Sequence, residues 1–182
     1  MLCVRLAVSR DAEQVEALLT EASAWLAGRG ISWLRDGPGP VPERIARGEV
    51  WAVRIQEDGP LIATVSIDEM PDPELWGPQP PDALYVHRLT VTRTHAGHGI
   101  GALLLDFAAD YTVRAGRTWV RLDTNKSNTR LQAYYAANGF RHVRTVDLPH
   151  RVSGALFERK ACLSSAVDRV SGRHFHVAMT SL

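Results

Sequence analysis

Between residues 97 and 102 the chain reads Gly97-His98-Gly99-Ile100-Gly101-Ala102, with three glycines where a strand-like run gives way to a helix-like one. Backbone amides at the start of a helix have no partner within it, and the aligned peptide dipoles place about half a positive charge there. Glycines at such a point let a ligand reach the backbone itself, so this segment offers a seat for a phosphate or pyrophosphate. Groups able to move protons stand elsewhere: His87 in the preceding run, the tandem Tyr134 and Tyr135, and Asp68, Glu69 and Asp123 at the ends of strand-like runs. The glycine segment also fits the loose dinucleotide fingerprint G-x-G-x-x-G/A, with Asp123 following, which keeps a dinucleotide-binding oxidoreductase as a rival reading. Against it, TRTHA separates Val91 from the first glycine, and the strand carries His87 and Arg88 where a parallel strand buried on both faces would be apolar. A nucleoside-triphosphate loop is worse, since no G-K-S/T is present. His95 with His98, and His174 with His176, have no third ligand at recognisable spacing, so no metal is expected.

The scaffold that positions these residues reads as follows. Val15, Leu18, Leu19, Ala22 and Leu26 recur at helical intervals over 11–28, with Gly28 and Gly30 after them, and predict an amphipathic helix. LRDGPGPVP, 34–42, is glycine and proline punctuation, and 42–48 has room for a short helical turn. EVWAVRI and LIATVSI flank QEDGP, where Asp58-Gly59 signals a hairpin. The five prolines of 70–82 make it a surface loop. There follow a strand ALYVHRLTV, a helix over 99–114, a strand TWVRLD, a helix over 128–138, and strands near 140–147 and 154–161. This order predicts a mixed α/β (α+β) domain over residues 1–162, with the aperiodic 163–182 as a C-terminal tail whose order the pattern leaves open.

Composition bounds the function. The 182 residues, 45% hydrophobic and 23% charged, suit one domain with a full core. Lys and Arg number 21 against 20 acidic residues, so no bulk charge points to nucleic acid or to an anionic membrane. No run approaches 18 apolar residues, and MLCVRLAVSRDAEQ turns polar too soon for a secretory signal, so a cytoplasmic location is the default expectation. Cys3 and Cys162 lie far apart without C-x-x-C spacing, and read as buried packing residues.

The stretch LTVTRTHAGHGIGALLL, 89–105, resembles the signature of the GNAT superfamily of N-acetyltransferases, a strand ending L-x-V, a short loop and R/Q-x-x-G-x-G/A. NTRLQAYYAANGF, 128–140, resembles that family's second hallmark, an Asn, a Leu, a Tyr and a closing Gly-Phe. By pattern the resemblance covers about 49–147. It implies a central mixed, mostly antiparallel sheet flanked by helices, and transfer of an acetyl group from acetyl-CoA to a small-molecule or peptide amine by direct attack in a ternary complex. A homodimer is compatible with it. A non-catalytic CoA-binding module is a further alternative.

Carried over residue by residue, the resemblance implies that backbone groups of Leu89, Thr90 and Val91 hold the pantetheine arm. The loop Ala96, Gly97, His98, Gly99, Ile100, Gly101 and Ala102 would cradle the pyrophosphate. Ala96 stands where the family has Arg or Gln, so backbone amides must suffice unless His98 or Arg93 substitutes. Asn128 would bond the pantetheine amides or simply cap its helix. An alkyl ammonium with a pKa near about 10 must lose its proton before attack. His87 is the expected base, placed two residues before Leu89 and therefore on the same face of the strand; it also matches a His implicated in proton removal in the family's arylalkylamine acetyltransferases. Tyr135, four residues before Gly139, is the tyrosine that the resemblance assigns as acid to the departing thiolate and as a cofactor contact, while Tyr134 is expected to pack. Trp33 and Trp76, in or beside loops, are expected to line an acceptor pocket for an apolar or aromatic amine.

Overall fold

Leu2 and Val4, Trp51 and Val53, Val65 and Ile67 recur at every second position of three short runs, and all six are buried on one face of a sheet. The structure, a computed structural model, describes residues 1–33, 39–171 and 174–178. Its strands are β1 (Leu2–Leu6), β2 (Val50–Arg54), β3 (Ala63–Asp68), β4 (Ala83–Val91), β5 (Trp119–Asn125), β6 (Arg141–Thr145), β7 (Ser153–Lys160), β8 (Val167–Ser171) and β9 (His174–Val177). The helices are α1 (Ala12–Ala27), α2 (Val41–Ala46), α3 (Ile100–Arg114) and α4 (Thr129–Ala137). The strands join in one sheet of order β6-β7-β5-β4-β3-β2-β1-β9-β8. Only β4 and β5 run parallel among these pairs. The central mixed, mostly antiparallel sheet flanked by helices is therefore as expected.

Each face carries its own core. On one, α3 lays Leu104, Leu105, Phe107 and Ala108 against the sheet, and Trp51 meets Phe107, Tyr111 and Phe175 edge-on at 5.0, 4.9 and 5.8 Å between ring centroids. On the other, Val15, Leu18 and Leu19 of α1 and Val41 and Ile45 of α2 pack with Val50 and Ala52. A third cluster forms where the proline-rich 70–82 segment folds Leu75 and Trp76 onto Tyr85 and Leu156.

The sequence expectations need correction at the two ends. Residues 2–6 form a strand that was not anticipated, pairing β2 from Leu6↔Trp51 to Cys3↔Arg54. The aperiodic tail is no tail over its described part: β9 pairs β1, and β8 pairs β9. Phe175 and Val177 are buried in the α3-side core, whose apolar surface repays the ordering of so short a hairpin. Residues 172–173 and 179–182 of that tail, and 34–38 of the glycine-proline punctuation, lie outside the described residues. Cys3 is buried as expected, but Cys162 is exposed just beyond β7.

Candidate active site

The parallel pairing of β4 with β5 runs only from Ala83↔Trp119 to Tyr85↔Arg121. Beyond it β4 continues to Val91 bound to β3, and β5 continues to Asn125 bound to β7. From Val86 and Leu122 onward the two strands thus face each other without a shared ladder, opening a wedge in the middle of the sheet. Main-chain groups on such an edge want a partner, and an extended ligand supplies one by strand addition.

A bulge shapes one wall of the wedge. Ser66 pairs with His87 but Thr64 pairs with Thr90, so β4 carries one extra residue, and Arg88 takes φ 50°. This corrects the expectation that His87 and Leu89 share a face. Leu89 packs toward the α3-side core, whereas His87 points to the opposite side, against Asp68.

At the wide end of the wedge sits the start of α3. Gly97 and Gly99 adopt φ 85° and 72°, a region that side chains disfavour, and Gly99 caps the helix. The first bond of the helix is from Leu103 N to Gly99 O, 3.1 Å. The amides of Gly97, His98, Gly99, Ile100, Gly101 and Ala102 have no acceptor among the described residues. Six open amides at a helix start, over glycines that present no side chain, fit a pyrophosphate. Of the two side chains suggested as stand-ins beside Ala96, His98 is exposed, and Arg93 stacks on the Trp25 ring of α1 at 3.8 Å, as does Arg29.

The α4 residues flank the same opening. Asn128 caps its helix, its Oδ1 accepting from Leu131 N at 3.0 Å. Tyr134 is 38% exposed, and its hydroxyl lies 2.6 Å from where a Cβ on Gly101 would stand, so it is not the packed residue of the pair. Tyr135 is the one set into the core, its ring 5.9 Å from Phe140 and 6.1 Å from Phe157. Burial, reinforced by Tyr134 and Asp123, pushes its phenol well above the usual range and keeps it protonated. The Tyr135 hydroxyl has no partner among the described residues, yet is not sealed from solvent.

On the side of the sheet away from α3, carboxylates surround His87. Nε2 of His87 lies 3.3 Å from Asp68 Oδ2, and Arg44 Nη2 of α2 reaches the same oxygen at 2.7 Å. Burial alone would push the Asp68 carboxyl up, but His87, the Met70 amide and Arg44 outweigh it and hold the group below the usual carboxylate range. Asp123, on β5, behaves oppositely: burial pushes it up, with His87 and the Ser153 hydroxyl only partly opposing. Arg44, wholly buried, was not singled out in the sequence, because nothing in PERIARG marks one arginine as the inward one. Trp76 does not line an open pocket; it is 3% exposed and packed on Tyr85, while Trp33 rests half-buried against the α1–α2 core.

The sequence and the fold have parallels among known proteins. The sequence pattern of the Acetyltransferase (GNAT) family matches residues 15–140. An uncharacterized N-acetyltransferase of Bacillus subtilis, YesJ, is 32% identical over 143 residues, 74% of this chain and 78% of its own. A GNAT-family acetyltransferase from Listeria monocytogenes superposes with a TM-score of 0.73 at 25% identity, covering 86% of this chain and 93% of that one. The yncA structure of Salmonella typhimurium, which holds its cofactor acetyl-CoA, has a TM-score of 0.63 at 16% identity over 92% of this chain and 98% of that one. The parallel sheet of a dinucleotide fold is not what these strands build, and the matched pattern spans both the wedge and the glycine turn, so the protein belongs to the GNAT family of N-acetyltransferases.

Proposed function

We propose that the protein transfers the acetyl group of acetyl-CoA to a primary amine by direct attack within a ternary complex. The observation that carries this is the wedge between β4 and β5, with open amides of the α3 start at one end and His87 and Asp123 on the far side of the sheet. The amides of residues 97–102 would hold the pyrophosphate, with Ala96 leading into the turn. The open main chain of Leu89, Thr90 and Val91 would hold the pantetheine arm, with the free amide side of Asn128 beside it. Acetyl-CoA, when bound, supplies an activated acetyl group and a thiolate leaving group. His87 takes the proton from the acceptor ammonium and releases it to solvent. Tyr135, protonated and at the edge of the wedge, gives a proton to the departing sulfur. Neither Cys3 nor Cys162 lies at the wedge, which favours direct transfer over an acyl-cysteine route. No metal ligand set is needed in this scheme.

The test is a melting assay followed by turnover. Acetyl-CoA at a hundred times its Kd stabilises the fold by about 2.7 kcal/mol, whereas NADH does not. A panel of amines then shows acceptor-dependent release of free thiol, and His87→Gln lowers that release about a hundredfold. A melt shifted by NADH and not by acetyl-CoA, or no thiol release with any amine, overturns the proposal.

A further inference from the structure

Asp68 is committed at every oxygen. Its Oδ1 accepts from the Met70 amide at 3.0 Å, and its Oδ2 receives Arg44 Nη2 at 2.7 Å with His87 Nε2 at 3.3 Å. Its side chain is 4% exposed, and that of Arg44 is 0% exposed and also meets Glu49 Oε2 through Nε, at 3.0 Å. A carboxylate so held cannot turn away from the ring it faces. Nε2 of His87 is sealed from solvent, and at 3.3 Å it lies off the line of a full hydrogen bond, so Asp68 is its one neighbour of suitable chemistry among the described residues. The other ring nitrogen, Nδ1, is not sealed and has no partner among them.

Two acceptors facing each other repel, so beside an ionised carboxylate the sealed nitrogen carries the proton. We infer that Asp68, anchored by Arg44, is a positioning residue for acetyl transfer: it fixes the His87 proton on Nε2 and leaves Nδ1 with the lone pair that receives the acceptor's proton. This rests on the reading of His87 as base. The N–H bond of the acceptor ammonium breaks and its electron pair stays on nitrogen for the attack. The proton forms a bond to Nδ1, and the resulting imidazolium is stabilised by Asp68 before it yields the proton to solvent. The other charged or titratable groups around this pair are Asp123 from β5, with Arg151 near it, Tyr135 from α4, and Tyr85 and Arg47 near Asp68. Of the carboxylates among the described residues, Asp68 alone comes within 3.3 Å of a ring nitrogen.

Ring nitrogen chemical shifts of His87, measured in the unmutated protein, read the tautomer directly and require no acceptor. The Nε2–H form is expected, and a dominant Nδ1–H form overturns the inference. In turnover, Asp68→Asn keeps the shape and removes the charge. Its kcat falls about tenfold or more while KM for acetyl-CoA stays within about twofold. If His87→Gln keeps full turnover, the base reading fails and takes this inference with it. If His87→Gln is severe but Asp68→Asn leaves kcat unchanged, this inference alone falls. Should Asp68→Asn fail to fold, the tautomer measurement decides.

Discussion

Replacing Asp11 by Asn should cost the fold about 2.5 kcal/mol at neutral pH. Asp11 leads into α1 with 1% of its side chain exposed, and ties the helix to two strands. Arg5 Nη1 of β1 reaches its Oδ2 at 2.8 Å, Arg54 Nη2 of β2 reaches Oδ1 at 2.8 Å, and the Val8 amide donates to Oδ2 at 2.8 Å. Burial would raise the carboxyl, but the Arg5 hydrogen bonds, the Val8 amide and the two guanidinium charges lower it from 3.8 to about 2. Holding the carboxyl at about 2 rather than 3.8 corresponds to about 2.5 kcal/mol favouring the folded state while the group is ionised. Asn retains the oxygen that accepts from Val8, so the substitution isolates the charge. The stabilisation is complete above about pH 5, where Asp11 is ionised even in the unfolded chain, and is lost as pH falls toward 2, where the folded group itself takes up a proton. Urea melts of both proteins at pH 7 should therefore differ by this amount, or by about 5–10 °C in Tm. The difference should shrink as the pH is lowered from 4 toward 2. A gap below about 1 kcal/mol at pH 7, or one that persists unchanged at pH 2.5, would refute the reasoning.

Two further outcomes are expected. Tyr135→Phe, which keeps the ring against Phe140 and Phe157, should leave acetyl-CoA affinity within about 1 kcal/mol and lower turnover about a hundredfold; Tyr134→Phe, whose hydroxyl stands at the α3 start, should instead raise KM for acetyl-CoA by up to about fivefold with little change in kcat. Steady-state kinetics on both variants separates the roles, and the reverse pattern exchanges them. Gly154→Ala should destabilise by about 1–3 kcal/mol in thermal melts, because its Cβ would stand 2.2 Å from the Val146 carbonyl oxygen, backbone that cannot swing aside; an unchanged Tm would show that β6 and β7 can part there without cost.

Much of the scaffold was written in periodicity. The strand ALYVHRLTV matches β4 residue for residue, the helix over 11–28 became α1 at Ala12–Ala27, and Asp58-Gly59 does separate β2 from β3. What escaped were elements too short to carry a period. Residues 2–6 offer one short alternation, with Leu2, Val4 and Leu6 toward the α3-side core and Arg5 turned to Asp11, and His174-Phe175-His176-Val177 gives a shorter one still. Such strands form because neighbouring edges already exist, which local sequence does not express. The glycine turn was legible because φ above zero demands glycine. The side of the sheet that His87 faces was not, because one bulged residue reverses the alternation and no residue type announces a bulge at Arg88. Likewise the spacing in LQAYYAANGF sets Tyr134 and Tyr135 about 100° apart, but only the positions of Phe157 and Gly101 decide which ring goes inward.

The contact of β9 with β1 has a consequence for how the chain comes off the ribosome. Cys3 and His174, diagonal neighbours across that pair with Sγ and Nε2 3.1 Å apart, are separated by 171 positions in sequence. At about 5–20 residues per second, β1 waits roughly 10–30 s for this neighbour to be made. Throughout that interval its outer edge is an unpaired row of amides and carbonyls, and the aromatic cluster around Trp51 lacks Phe175. A nascent chain in this state offers other chains a template for strand addition. Ribosome stalling or premature release before His174 is added therefore yields a product prone to associate through β1.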